Sequence, residues 1–215
     1  HCFTDSRWAI RKLAMDKIVK LGTYSVVPLI EALRHELEDV VFWALKSLVA
    51  IGEESTLTHI ATLLDSGTRE IRLLALEAIL AIGSEESTEI FMEAYNNTFW
   101  EVRHRASELF SQLPHHPIPS LLEGCFAGSQ HTRFWAKRTL QTMGLEGASD
   151  FVAQIKNLDS PLLFIKNLRL ADASILAEEL KRARPNLSKM EASAATSLSS
   201  KSIRKRLESS QQLEP

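Results

Sequence analysis

The sequence has little cysteine, little glycine, no excess charge of either sign and no long apolar run. Cys2 and Cys125 are the only two cysteines. Their spacing suits no metal site and allows at most one disulfide, so reduced packing thiols in a cytosol-like compartment are the expectation. No uninterrupted apolar run reaches 18 residues, and no leader with a cleavage site is legible, so neither membrane insertion nor secretion is expected. The 25 Lys and Arg against 27 Asp and Glu leave a formal net charge of -2, which gives no basic field for a nucleic acid partner. Only 8 glycines among 215 residues, with 45% hydrophobic residues, fit a helical chain ordered over its main body. The chain opens on His1, and HCFTD reads as the end of an earlier helix, so further domains N-terminal to it are expected.

What the sequence does contain is a repeat. Its clearest copy is REIRLLALEAILAIG, Arg69 to Gly83, anchored on Ala75. Equivalent anchors are Ala14, Ala44, Ala106 and Ala136, which gives a period of 30 to 31 residues. Three residues before each anchor stand Arg11, Val41, Arg72, Arg103 and Arg133; eight after it stand Gly22, Gly52, Gly83, Pro114 and Gly144. Apolar positions four before, four after and seven after the anchor fall on one face of a helix at about 100° per residue. The terminal glycine supplies the left-handed residue that stops it.

In chain order, the first such helix spans Ser6 to Leu21, with Asp5 or Ser6 as its cap. A shorter helix follows from Tyr24 to Glu36, with Pro28 in its first turn, where a missing N–H costs little. The same slot opens helices at Leu57, Thr88, Ile118 and Ser149. Each repeat is therefore helix, turn, helix, and such pairs bury their apolar faces only by stacking on their neighbours. After Asp159 the register is lost, and two further amphipathic helices up to Arg184 read as a C-terminal cap. The organisation expected is residues 1–159 repeats, 160–184 capping helices, and 185–215 a polar, Ser-rich tail or linker.

The run IRLLALEAILAIG, with the looser VRHRASELFSQLP and TRFWAKRTLQTMG, resembles the short HEAT-like repeats of the phycobilisome-lyase type, over about Asp5 to Asp159. The resemblance implies an all-α, right-handed α-solenoid of about five helical pairs. It also implies that an acidic or amide residue in the turn within a repeat caps the second helix and can pair with its arginine, a place held here by Asp65 and Asn96, seven residues before Arg72 and Arg103. Val41 departs from the pattern.

Related repeat enzymes set the terms for catalysis. Deoxyhypusine hydroxylase carries His-Glu pairs that converge on two irons; the matching place here reads His104-Arg105, and a guanidinium is no iron ligand. The only His-Glu dipeptide, His35-Glu36, lies elsewhere, and His115-His116 sits in a proline-rich turn. No Ser-His-Asp, paired-carboxylate or phosphate-loop constellation is legible, so no catalytic residue, metal or cofactor is expected. HEAT-like DNA glycosylases use an Asp and aromatics in a basic groove, and the basic excess is missing here.

Two rows on the face away from the core carry the functional reading. Two residues after each anchor stand Asp16, Lys46, Glu77, Glu108 and Arg138, all charged; two before it stand Lys12, Phe42, Leu73, His104 and Phe134. Trp8 and Trp100, six before their anchors, extend the second row, as do Val19, Val49 and Leu80 five after theirs, while Trp43 and Trp135 are assigned to packing between repeats. An apolar stripe beside a charged row marks a partner-binding surface. The partner-binding residues expected are Trp8, Lys12, Phe42, Lys46, Leu73, Glu77, Trp100, His104, Phe134 and Arg138, in a cytoplasmic, non-catalytic protein-interaction scaffold. The alternative is a bilin-lyase-like subunit holding a tetrapyrrole and its acceptor protein, whose propionates would need Lys12, Lys46, His104 and Arg138 to converge.

Overall fold

The computed structural model describes residues 2–113, 118–143, 152–153, 155–156, 161–168 and 173–183, and every regular element among them is helical. The chain divides into two units, His1–Thr142 and Met143–Pro215. The segment from Ser149, where a further helix is expected, falls in the second unit, and only 152–153 and 155–156 of it are among the described residues. The expected tail, 185–215, and the expected stops at Pro114 and Gly144 lie outside the described residues.

In the first unit the long helices recur where the anchors predict them: α1 Trp8–Val19, α3 Glu38–Ile51, α6 Arg69–Ile82, α8 Trp100–Phe110 and α10 Gln130–Met143. Between them run shorter ones: α2 Val26–Ala32, α4 Leu57–Ala61, α5 Leu63–Ser66, α7 Glu85–Ala94 and α9 Ile118–Ala127. Local chemistry sets their ends. Thr68 caps α6, its hydroxyl accepting from the Ile71 N–H at 3.5 Å, and Gly83 stops the helix at φ 66°. Gly52 ends α3 in the same way at φ 73°, its N–H donating to Leu48 O at 2.9 Å. A Cβ on Gly52 would meet nothing within 4 Å, so glycine is needed there for its backbone angle and not for space.

Several boundaries differ from expectation. α1 starts at Trp8, because Asp5 uses its carboxylate on the Arg7 N–H (2.9 Å) and guanidinium instead of on the helix N-terminus. It also stops at Val19, and Gly22, at φ 59°, opens a 3-10 turn to Ser25. The helix expected from Leu57 is broken into α4 and α5 at Thr62. α7 begins three residues early, at Glu85, where Ser84 N–H donates to Ser87 Oγ at 3.2 Å.

Packing follows the sequence order. α1 lies against α3, α3 against α6, and α6 against α8, while α2 packs on α3, α4 and α5 on α6, and α7 on α8. The Ser107 and Thr139 hydroxyls, 2.9 Å apart, join α8 to α10. Ala44, Ala75, Ala106 and Ala136 are 0% exposed, so the anchor is the point of closest approach, and a larger side chain there has nowhere to go. Leu48, Ile79 and Phe110, four residues later, are buried completely. Each contributes roughly 1.5 to 3 kcal/mol by leaving water. Ala14, on the first helix, is only half-buried.

In the second unit the two helices expected after Ser160 form as Pro161–Leu168 and Ala173–Ala183, and they pack against each other. Ile165, Leu176 and Leu180 are among their buried residues.

Candidate functional site

The charged row reaches water at every copy: Asp16, Lys46, Glu77, Glu108 and Arg138 are all exposed. The neighbouring row is mixed. Phe134 is 59% exposed, whereas Lys12, Phe42, Leu73 and His104 are half-buried. Trp8 and Trp100 are exposed, at 61% and 59%, because each is the first residue of its helix and overhangs the end instead of lying along the packed face. Val19, Val49 and Leu80 are half-buried. Trp43 and Trp135 are buried, as expected of residues that pack between helices.

The aromatic rings gather into two clusters of the same design. In the first, Trp43 is the centre: Phe3 stacks on it at 6.4 Å between centroids, Trp8 lies tilted at 5.9 Å, and Phe42 meets it edge-on at 5.5 Å. The Lys46 ammonium stands 5.8 Å from the Phe42 ring centroid. In the second, Trp135 is the centre: Phe134 meets it edge-on at 5.1 Å and His104 at 6.0 Å, and Trp100 stacks on His104 at 4.8 Å. The Arg138 guanidinium stands 6.0 Å from the Trp135 centroid. Each cluster therefore combines a buried indole, an exposed indole, a phenyl ring and a cation held near an aromatic ring.

The remaining charges of the face are largely engaged. Lys12 pairs with Asp16. Arg105 pairs with Glu77 at 2.9 Å and Glu108 at 3.1 Å, and the Glu77 carboxylate, with Glu108 behind it, holds the guanidinium above its ordinary pKa. His104 Nδ1 is 3.8 Å from Glu108. Lys46 and Arg138 have no ion pair among the described residues, so theirs are the charges available to a ligand. Exposed pairs of this kind add little stability, commonly ~1 kcal/mol or less.

A second system was not legible as such in the sequence. Each arginine three residues before an anchor folds back onto a carbonyl of the preceding turn: Arg11 to Asp5 O at 3.0 Å, Arg72 to Gly67 O, Arg103 to Asn97 O and Thr98 O, Arg133 to Gly128 O at 2.8 Å. Two of them also cross to an acid in the first turn of the next long helix, Arg11 to Asp39 at 3.2 Å and Arg72 to Glu101. The expected pairing of Asp65 and Asn96 with the arginine of their own repeat is corrected by these contacts. Asp65 accepts from Asn97 Nδ2 at 2.7 Å, and Asn96 Oδ1 accepts from the Ser129 and Thr132 hydroxyls, the latter at 3.0 Å. These amide and carboxylate groups tie one turn to the next, leaving the arginine to its own turn's carbonyls. The signal that could have found this was the acid five residues before an anchor, present as Asp39, Glu70 and Glu101.

Among the described residues, a chain of buried hydroxyls links the end of α7 to α8 and α10. The Tyr95 hydroxyl lies 2.6 Å from Thr139 Oγ1, which is also 2.9 Å from Ser107 Oγ and donates to Trp135 O at 3.0 Å. Burial pushes the Tyr95 phenol well above its ordinary pKa, so it stays a neutral structural donor. Among the described residues, no group of three or more His, Cys, Asp or Glu side chains is placed to hold a metal ion, and no helix is long and apolar enough to cross a membrane. No family model matches the chain, and no curated protein matches it.

Proposed function

We propose that the first unit is a right-handed solenoid of HEAT-like helical pairs that works as a non-catalytic, cytoplasmic protein-binding module. Its partner is another protein, docked along the face that carries Trp8, Phe42, Leu73, Trp100, His104 and Phe134. The order of helix packing, in which each long helix lies against the next, supports the solenoid. The observation that carries the binding reading is the paired aromatic clusters. Trp8 and Trp100, Phe42 and Phe134, Trp43 and Trp135, and Lys46 and Arg138 stand at equivalent positions three repeats apart. Packing accounts for the buried indoles Trp43 and Trp135, but it leaves Trp8 and Trp100 largely in water, and Lys46 and Arg138, beside Phe42 and Trp135, have no ion pair among the described residues. Exposed aromatic rings with a nearby guanidinium or ammonium are the side chains that dominate binding energy at protein interfaces. A tetrapyrrole's propionates would need converging cations, whereas Lys12 is paired with Asp16 and Lys46 and Arg138 belong to different clusters.

The experiment is a crosslinking capture with the whole chain as bait, followed by titration of the recovered partner against wild type and Trp100→Ala/Phe134→Ala. Truncating such rings should weaken binding at least roughly tenfold. Stability should change little, because exposed side chains alter it by only about 0.5 kcal/mol. A double variant that binds as wild type does, or that unfolds several degrees early, overturns the reading.

A further inference from the structure

Between the second and third repeats lies a cleft of about 370 Å³, lined on one side by Val41, Glu36 and Glu38 and on the other by Gly67, Thr68 and Ile71. Its cause can be read from the neighbouring repeats. Between the third and fourth, Arg72 occupies the equivalent space: its guanidinium donates to Gly67 O and Glu101, and its Cζ lies 3.6 Å from the centroid of the Phe99 ring. Between the first and second, Arg11 reaches Asp5 O and Asp39, with Leu37 at the position of Phe99. Each of these places is built from an arginine, a platform residue and an acid.

At the cleft two of the three parts are cut back and the third is kept. Val41 stands where the arginine would be, Thr68 where the platform would be, and Glu70, next to the lining residue Ile71 but not itself on the lining, holds the repeat position of Asp39 and Glu101. The turn carbonyl equivalent to Gly67 O is that of Glu36, and Val41, in place of the arginine three residues before the anchor, brings no donor to it. Glu70 has no ion pair among the described residues, and it is exposed in the first turn of α6. Arg34, the cation on the lining, is also exposed and unpaired among them. Counting His35 as neutral, Glu36 and Glu38 against Arg34 leave the lining with a negative formal charge.

We infer that this cleft is a binding site for an arginine side chain presented by a protein partner. The chain itself shows the chemistry that fills such a place: a planar guanidinium with one edge on a turn carbonyl and another on a carboxylate. A lysine ammonium, a point charge without the planar fork, matches that pair of acceptors less well. Smaller residues at positions 41 and 68 leave room for the side chain to enter from outside. This site is separate from the aromatic clusters and does not depend on their role.

The test uses the full chain and N-acetyl-arginine amide as probe, followed through backbone amide shifts in nitrogen-15 spectra. Saturable shifts are expected at Val41, Gly67, Thr68 and their neighbours, with N-acetyl-lysine amide binding at least roughly fivefold more weakly. Val41→Arg supplies the guanidinium internally and should abolish the shifts while keeping or raising the melting temperature. Glu70→Gln, on an exposed position that leaves the fold intact, should weaken the probe by roughly threefold or more. Trp100→Ala/Phe134→Ala should leave the titration unchanged, which separates failure of this site from failure of the aromatic face. Non-saturating shifts spread over the surface, equal binding of the lysine probe, undiminished binding by Val41→Arg, or undiminished binding by Glu70→Gln would each overturn the inference.

Discussion

The Arg72 guanidinium, with its side chain only 11% exposed, is bonded at once to Gly67 O in its own turn and to Glu101 at the start of α8. One side chain thereby fixes the turn before its helix and the spacing to the next repeat. Its hydrogen bond to the Glu101 carboxylate, helped by the N–H of Glu101 itself, holds that carboxyl below the usual glutamate range. A depressed carboxyl contributes stability that is present above its unfolded pKa and lost as pH falls through its folded one. The melting-temperature gap between wild type and Glu101→Gln should therefore be full at pH 7 and shrink below about pH 4.5. A gap that stays constant down to pH 3 would show that the pair does not act in solution.

Ala75 is completely buried and Ala14 is half-buried, although they hold the same repeat position. Ala75→Leu forces three extra carbons into a closed interface and should cost roughly 1 to 3 kcal/mol. For a chain of this size that is about 2 to 4 °C of melting temperature per kcal/mol. Ala14→Leu should cost clearly less. Thermal denaturation of the two variants side by side checks the register, which fails if Ala75→Leu melts as wild type does.

Thr139 serves Tyr95 and Ser107 together, so removing its hydroxyl strands two buried groups and not one. Thr139→Val should destabilise by roughly 1 to 3 kcal/mol, and Tyr95→Phe by about 1 kcal/mol. The double variant should cost less than the sum of the two, since the Tyr95–Thr139 bond can be lost only once. Urea titrations of the four proteins measure the coupling, and strict additivity would rule out the bond.

Cys2 is exposed, whereas Cys125 is partly buried in α9, where loss of water pushes its thiol up to about 11. The thiolate is the reactive form, so at pH 7.5 iodoacetamide should modify Cys125 at least roughly tenfold more slowly than Cys2. Mass spectrometry of a timed alkylation decides this, and equal rates would show that α9 opens readily.

Much of the helical order was legible because it is enforced locally. An alanine, an apolar residue four positions on and a glycine eight positions on define one face and one stop, and Gly52 and Gly83 adopt the left-handed angle that this reading requires. The arginines were legible as a row but not as a system. A guanidinium takes the nearest carbonyl and carboxylate in space, and for Arg72 these are Gly67 O and Glu101, the second contributed by a different helix. Asp65 was expected to pair with Arg72 from the resemblance to HEAT-like repeats, yet Asn97 of the following turn lies against it at 2.7 Å.

By itself the sequence determined which residues face inward along α3, α6, α8 and α10, where glycine stops α3 and α6, and that five charged residues in register reach water. Only the tertiary structure decided the fate of the tryptophans. On a helix wheel, Trp43 and Trp8 stand at similar angles from the core direction, about 100° and 120°, measured to opposite sides. Trp43 is 4% exposed and Trp8 61%, since Trp43 lies within α3 with helices on both flanks and Trp8 begins α1. A periodic pattern gives each side chain its direction, but burial depends on whether another helix occupies the space it points into, and that is settled by the neighbours.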